Sequence, residues 1–322
     1  MAPPAAPLPL VESQADAAHV PELVVISGKG GTGKTSVVGS FAALADNLVL
    51  ADCDVDAADL HLVLAPEIRE RNLFVGGHEA RVREADCTAC RVCREVCRFD
   101  AIGCDPDTGI CTVDPIACEG CGVCVEQCPE QAIDFPARTC GEWFVSSTAS
   151  GPMVHARLGI AAENSGKLVT LVRREAKRIA ATSGRAGILV DGPPGVGCPV
   201  IAALSGATRV LVVTEPTVSG EHDLERVLQL VKHFGIPAAV CVNRWDIHPE
   251  GTARIEDRAR EHGVTLFAKI RYDTAVTSAQ VQGRPVVELG GPAADDIREL
   301  WERVEAWWDG GEPPPTQPEV RK

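Results

Sequence analysis

Short, uninterrupted apolar runs alternate along this chain with longer stretches in which apolar residues recur every three to four positions. Runs that are apolar on both faces suit parallel strands covered by helices. Strands are expected at Leu23–Ser27, Leu48–Asp54, Ile188–Asp191, Val210–Thr214, Ala238–Asn243 and Leu266–Ile270. Helices are expected over about 34–46, 219–234, 250–262 and 292–308. From about 79 to 140 the rhythm gives way to cysteines and an internal repeat. The offset 118 − 87 = 31 maps Cys87 onto Cys118, and likewise Val92 onto Val123, Glu95 onto Glu126 and Ala101-Ile102 onto Ala132-Ile133. Trp143–Val172 mixes turn residues with apolar runs and is expected to return to the sheet by a β-hairpin. Residues 1–20 and Gly310–Lys322 are Pro-rich and aperiodic and read as disordered ends. The division that follows is a discontinuous domain, 21–78 and 141–308, an insert at 79–140, and tails at 1–20 and 309–322.

Composition narrows the functions open to such a chain. The 322 residues are 45% hydrophobic, enough for a sizeable core. A net charge of −14 argues against broad contact with nucleic acid or anionic lipid. No basic leader and no run near ~20 apolar residues is present, which points to a cytoplasmic protein. Eight of the fourteen cysteines fall in metal-ligand spacing rather than a disulfide framework, consistent with a reducing compartment.

Gly28-Lys29-Gly30-Gly31-Thr32-Gly33-Lys34-Thr35 fits G-x-x-x-x-G-K-[ST] between an apolar strand and a helix, and Ser36 continues it. Glycines there let backbone N–H groups approach phosphates, and the helix terminus adds partial positive charge. Lys34 is placed to reach the β/γ-phosphates, and Thr35 to ligate Mg²⁺. Asp52-Cys53-Asp54 closes the second strand, with alternation setting the two carboxylates on one side and Cys53 on the other. Ile188–Gly195, ILVDGPPG, reads as a Walker B strand and loop, with Asp191 in the Mg²⁺ shell and Gly195 able to donate its N–H to the γ-phosphate.

The second lysine of the loop, Lys29, resembles the deviant Walker A motif of the MinD/ParA/Mrp class of ATPases. DGPPG-x-GCP (Asp191–Pro199) and VTEPT-x-SG-x-HDLER (Val213–Arg226) look closest to the Mrp-like members that carry a ferredoxin insert. The resemblance spans about residues 22–308 and implies ATP-dependent homodimerisation, with Lys29 crossing to the other subunit's nucleotide. It also implies that Asp54 orients the attacking water. Asn243, in VCVNRWD, would recognise adenine and so favour ATP, unless it is a strand-end turn residue. Asp56 and Asp59 read as capping or solvated.

Cys87, Cys90, Cys93, Cys97 and Cys118, Cys121, Cys124, Cys128 both follow C-x2-C-x2-C-x3-C, the run of bacterial two-cluster ferredoxins. That pattern implies two [4Fe–4S] clusters, one on Cys87, Cys90, Cys93 and Cys128, the other on Cys118, Cys121, Cys124 and Cys97. Zinc is the competing metal. Arg98 stands where the second run has Pro129. The expected fold is thus an α/β parallel-sheet P-loop NTPase with an inserted small α+β ferredoxin domain.

Cys53 and Cys241 read as buried thiols, and Cys140 is uninformative. Cys104 and Cys111 flank a turn that can set them opposite each other. Cys198 follows Asp191 by seven residues, the offset of the cluster ligand in the nitrogenase iron protein; a bridging cluster and a structural thiol both remain open. The stripe Ile297, Leu300, Trp301, Val304, Trp307 and Trp308 has an acidic opposite face, including Asp309, and is expected to pack on the sheet rather than a membrane. His155 and His222 receive no role. The function read from these residues is a homodimeric MgATPase that gates a ferredoxin module for electron transfer to a client protein. A cluster or metallocofactor carrier, and a non-redox switch with structural clusters, are the rivals.

Overall fold

The computed structural model describes residues 20–159, 164–308 and 310. The expected disordered ends lie outside the described residues except for Val20 and Gly310, and Asp309 lies outside them as well. Nine strands form one sheet in the order Thr265–Ile270, Ala238–Asn243, Arg209–Thr214, Glu22–Ser27, Gly187–Pro194, Leu48–Asp52, Gly151–Leu158, Ala137–Thr148, Glu67–His78. The first seven are parallel; the last two turn antiparallel at one edge.

Both faces are covered, which is why the parallel strands read as continuous apolar runs. Leu23 and Val25 belong to the core shared with Lys34–Leu44 and Pro292–Trp308, while Val24 and Ile26 belong to the core shared with Ser165–Ser183, Cys198–Leu204, Val218–Phe234 and Pro249–Glu261. The C-terminal stripe is buried in the first of these layers apart from half-buried Trp308, with Trp301 against Phe41 at 4.9 Å and Trp307 against Phe267 at 5.0 Å between ring centroids. Truncating fully buried Phe41 to Ala would cost about 3–5 kcal/mol. Cys53, Cys140 and Cys241 are buried. Among the described residues no helix is long and apolar enough to cross a membrane.

The expected helices start or end within two residues of those observed: Lys34–Leu44, Val218–Phe234, Pro249–Glu261 and Pro292–Trp308. One strand is shorter than expected. Leu48–Asp54 stops at Asp52, because Cys53 N–H makes the last cross-strand bond to Asp191 O (2.8 Å) before a turn in which Ala57 N–H donates to Asp54 O. Asp54 therefore sits on a loop.

Helix Ser165–Ser183 is tied to the P-loop strand by a buried ion pair. Arg173 pairs with Glu22 and donates to the carbonyls of Ala202 (2.7 Å) and Ser205 (2.8 Å), and Lys177 reaches the same Glu22 at 3.2 Å.

The hairpin expected after Trp143 is present, as Ala137–Thr148 and Gly151–Leu158 paired from Thr148↔Gly151 to Gly141↔Leu158. The former also pairs with Glu67–His78, from Glu67↔Ser147 to His78↔Ala137. This ribbon links the sheet edge to the cysteine segment. There, Arg81–Val82 pairs with Ile133–Asp134 and Ile102–Cys104 with Cys111–Val113, beside the short helices Val92–Glu95 and Val123–Glu126.

The 31-residue repeat is visible in the backbone. Left-handed residues Ala89, Arg91 and Asp100 recur as Gly120, Gly122 and Gln131. Asp114 N–H bonds Ala101 O, and 31 residues away Arg83 N–H bonds Ala132 O.

Candidate functional site

The loop between Glu22–Ser27 and Lys34–Leu44 opens into a cavity of about 340 Å³ lined by Gly30–Ser36, Asp54, Asp59, Pro194 and Asn243. Its glycines have separate reasons to be there. Gly33 has φ 87°, and a Cβ on it would lie 2.3 Å from Asn243 Nδ2. A Cβ on Gly28 would strike the Asp223 side chain and backbone at 2.5–2.9 Å.

Lys34 is buried, with Nζ 2.5 Å from Asp191 Oδ1 and 3.5 Å from Asp54 Oδ2. Burial opposes its charge, but Asp191 and Asp54 together hold its pKa above the ordinary lysine value. Asp52 and Asp54 both act on this lysine while Cys53 lies in the core, so alternation carries past the strand end. Burial, then the charge of Asp191, raises Asp52 well above the carboxylate range. Asp54 is raised to about 6, chiefly by burial, against the opposing pull of Lys34.

Three carboxylates thus face one ammonium. Asp52 Oδ2 and Asp191 Oδ2 are buried without hydrogen-bond partners. Buried carboxylate oxygens left this way suit a divalent cation with hard oxygen ligands, and Thr35 lines the same cavity.

Lys29 is held within its own chain. Its Nζ lies 2.7 Å from Glu215 Oε1, 3.0 Å from Thr217 Oγ1 and 2.8 Å from Ser219 Oγ. Glu215 also pairs with Arg244, which donates to Gly31 O. Asn243 Nδ2 donates to Thr32 O at 2.7 Å, and its Oδ1 accepts from Arg244 N–H, so both ends of the amide are engaged by protein. Gly195 N–H donates to Ser27 O at 2.8 Å and is committed in the same way.

Asp59 lines this first cavity, whereas Asp56 lines a different one with His61 and His155. Arg271, Tyr272, Asp273 and Gln280 complete the far wall of the first cavity. No local motif marks them, and only the fold brings them to the loop. Glu215 and Thr217 lie inside the VTEPT segment, which was the available signal for the Lys29 contacts.

The eight run cysteines divide between two further cavities. Cys87, Cys90, Cys93 and Cys128 line one; Cys97, Cys118, Cys121 and Cys124 line the other. Cys93 is raised by burial and by charge on Cys90, Cys87 and Cys128, and Cys124 is pushed to about 11 by burial and by Cys118 and Cys121. Ala132 N–H points at Cys128 Sγ, 3.3 Å away. Among the described residues no three His, Cys, Asp or Glu side chains are set to close on a single metal ion. Four thiols around each of two cavities, with the fourth cysteine of each run exchanged, fit the donor set of a [4Fe–4S] cluster.

Cys104 and Cys111 are joined by a disulfide. Cys198 is a free, exposed thiol at the start of Cys198–Leu204. His155 is buried with Nε2 2.9 Å from Ser146 Oγ and is pushed down to about 4, first by burial and then by His61. His222 is exposed beside Asp223.

Comparison with known proteins agrees with the loop and the sheet. An uncharacterized protein of Methanocaldococcus jannaschii is 30% identical over 287 residues, covering 88% of this chain and 96% of that one. The septum site-determining protein MinD of Pyrococcus horikoshii, complexed with Mg-ADP, superimposes with a TM-score of 0.53 at 18% identity, covering 89% of this chain and 96% of that chain. A local match joins 53 residues to indolepyruvate oxidoreductase subunit IorA of Thermococcus kodakarensis at 42% identity, 16% of this chain and 8% of the relative. Residues 23–286 match the CobQ/CobB/MinD/ParA nucleotide binding domain, and the chain belongs to that family.

Proposed function

We propose that this protein is a homodimeric MgATPase of the Mrp-like kind whose nucleotide state governs a two-[4Fe–4S] ferredoxin module, with electron transfer to a partner protein as its output. In this reading the P-loop domain comprises 21–78 and 141–308, and the module is inserted at 79–140. The observation that carries the proposal is the partition of eight cysteines between two cavities in the interleaved pattern of two-cluster ferredoxins, in one chain with a P-loop site. The short match to an oxidoreductase subunit points the same way.

Loop N–H groups and the N-terminus of Lys34–Leu44 would cradle the phosphates. Lys34 would turn from Asp191 to the β/γ-phosphates, leaving Asp191 and Thr35 to hold Mg²⁺. Asp54, on its loop, would orient the water; positioning and charge dominate phosphoryl transfer. Lys29 would leave Glu215 to touch the nucleotide of a second copy. Gly195 would exchange its bond to Ser27 O for the γ-phosphate, and Asn243 would exchange its bond to Thr32 O for adenine.

Iron–sulfur clusters, when bound, supply one-electron transfer at low potential. The chain contributes four thiolates per cluster and the Ala132 N–H at Cys128. The chain itself joins the two halves: the Asp54 loop leads through Leu60–Leu64 into Glu67–His78, and the cysteine segment follows.

A cluster-carrier role is the second reading, favoured by the exposure of Cys90 and Cys121. Buried Cys93 and Cys124, one in each set, favour clusters that stay. The test uses anaerobically purified protein. Clusters that resist a chelator, never pass to an apo-acceptor and reduce an added acceptor faster with MgATP support the proposal; transfer to the apo-acceptor overturns it. Asp54→Ala is expected to slow hydrolysis at least tenfold while retaining nucleotide, and wild-type turnover would remove Asp54 from this role.

A further inference from the structure

The repeat within the cysteine segment breaks at one cross-strand pair. Ladder Ile102–Cys104 with Cys111–Val113 has a counterpart 31 residues away, in which Ile102↔Val113 becomes Ile133↔Val82 and Gly103↔Thr112 becomes Asp134↔Arg81. The next pair is Cys104↔Cys111, and its counterparts are Phe135 and Ala80. Phe135 and Ala80 line the cavity of Cys97, Cys118, Cys121 and Cys124; Cys111 lines that of Cys87, Cys90, Cys93 and Cys128. One half therefore fills this place with hydrocarbon and the other with a disulfide.

The hairpin does not depend on the cross-link for its shape. Asp105 N–H bonds Ile110 O at 2.8 Å, Gly109 N–H bonds Asp105 O at 2.9 Å, and the Asp105 carboxylate accepts from the N–H groups of Asp107 and Thr108. Gly109, in the left-handed region at φ 72°, packs closely on Ala89 of the Cys87–Cys93 loop, where a Cβ would lie 3.0 Å from the alanine methyl. The companion ladder holds its register with no cross-link, and a loop this short gains least from one.

We infer that Cys104–Cys111 is a redox-active disulfide, a third electron-accepting centre fed by the cluster held on Cys87, Cys90, Cys93 and Cys128. This rests on the two-cluster reading above. The S–S bond takes up two electrons, delivered singly by a low-potential iron–sulfur donor, and two protons from water, giving two thiols. Cys111 is fully buried against the donor cavity, while Cys104 is partly exposed and gives the protons, and a disulfide substrate, their approach. The substrate class for the reduced pair is a disulfide, attacked by the Cys104 thiolate and released as thiols when Cys104–Cys111 re-forms.

The test is an anaerobic reductive titration of the holoprotein with dithionite, followed by alkylation and peptide mass spectrometry. After cluster reduction, Cys104 and Cys111 are expected to become alkylated, with uptake of about two further electrons per chain. A Cys104→Ser/Cys111→Ser protein is expected to lose those two equivalents while keeping its iron and its cluster EPR signals. Reduced wild type should release about two more equivalents of thionitrobenzoate per chain from the aromatic disulfide 5,5′-dithiobis(2-nitrobenzoic acid) than this variant, since the exposed Cys198 thiol reacts alike in both. A pair that stays bonded while both clusters are reduced overturns the inference and leaves the clusters standing. So does equally fast alkylation in protein stripped of iron. Iron-free wild type overturns the two-cluster reading, and this inference with it.

Discussion

Replacing Asp54 with Asn should make the nucleotide-free protein more stable, not less. Three carboxylates surround Lys34, which keeps Asp191 at 2.5 Å when the longer 3.5 Å contact to Asp54 is lost. The raised pKa of Asp54, about 6 against an ordinary 3.8, means that the folded state disfavours its charged form. A shift of about two units corresponds to about 3 kcal/mol, and solvent reaching the open cavity cuts this to roughly 1–2 kcal/mol. The sign follows from proton binding. Between pH ~4 and ~6 the folded state binds more protons than the unfolded state, so stability falls as pH rises through this window. The penalty is absent below pH ~4 and complete above ~7. Asp54→Asn should therefore raise Tm by roughly 2–6 °C at pH 8. The difference should shrink steadily as pH falls toward 4. The assay is thermal unfolding by circular dichroism, without nucleotide and with EDTA, from pH 4 to 8. MgATP should shrink the gain, because a Mg²⁺ ion beside Asp191 offsets the charge penalty that Asp54 carries in the wild type. A lower Tm for the variant at pH 8, or a difference that ignores pH, refutes the reasoning.

Gly33→Ala places a methyl 2.3 Å from Asn243 Nδ2 on a backbone at φ 87°, and should raise the Kd for a fluorescent ATP analogue at least tenfold with far-UV circular dichroism unchanged. Glu215→Gln weakens the partly exposed contact that holds Lys29, and should lower the protein concentration needed for ATP-dependent dimerisation by up to about fivefold in light scattering. Arg173→Ala leaves the buried Glu22 carboxylate with Lys177 alone and should cost about 3 kcal/mol in denaturant unfolding; Arg173→Lys should recover part of it.

What the sequence disclosed follows from how local each signal is. Strands buried on both faces announce themselves as unbroken apolar runs, and Val210–Thr214 and Ala238–Asn243 were readable to the residue or nearly so. Glu67–His78 was not readable: EIRERNLFVGGH is charged, mostly exposed, and paired with residues about seventy positions away. Its strand character comes from that partner, since β-preference is set by neighbours more than by the backbone. Ser165–Ser183 was obscured by the turn-rich stretch before it. At the site, Lys34, Asp54 and Asp191 lie in contiguous motifs and were legible, and their mutual contacts follow from the crossover topology. The grip of Glu215 and Thr217 on Lys29 joins positions nearly two hundred apart, so no spacing encodes it. The interleaving of the cysteines was expected from the likeness of both runs to two-cluster ferredoxins, not from the repeat itself. The repeat also contained, unread, the pairing of Cys104 and Cys111 with Phe135 and Ala80, which needs the two ladders to be seen side by side.

The central claim is that nucleotide state governs an iron–sulfur module within the same chain. Anaerobically purified protein should contain about eight irons per chain, and stopped-flow reoxidation of its reduced clusters by a one-electron acceptor should change several-fold between MgATP and no nucleotide. In Lys34→Ala, which cannot hold the phosphates, that change should vanish while the iron stays. Colourless, iron-free protein that still hydrolyses ATP, or iron-replete protein whose reoxidation is blind to MgATP, would contradict the account.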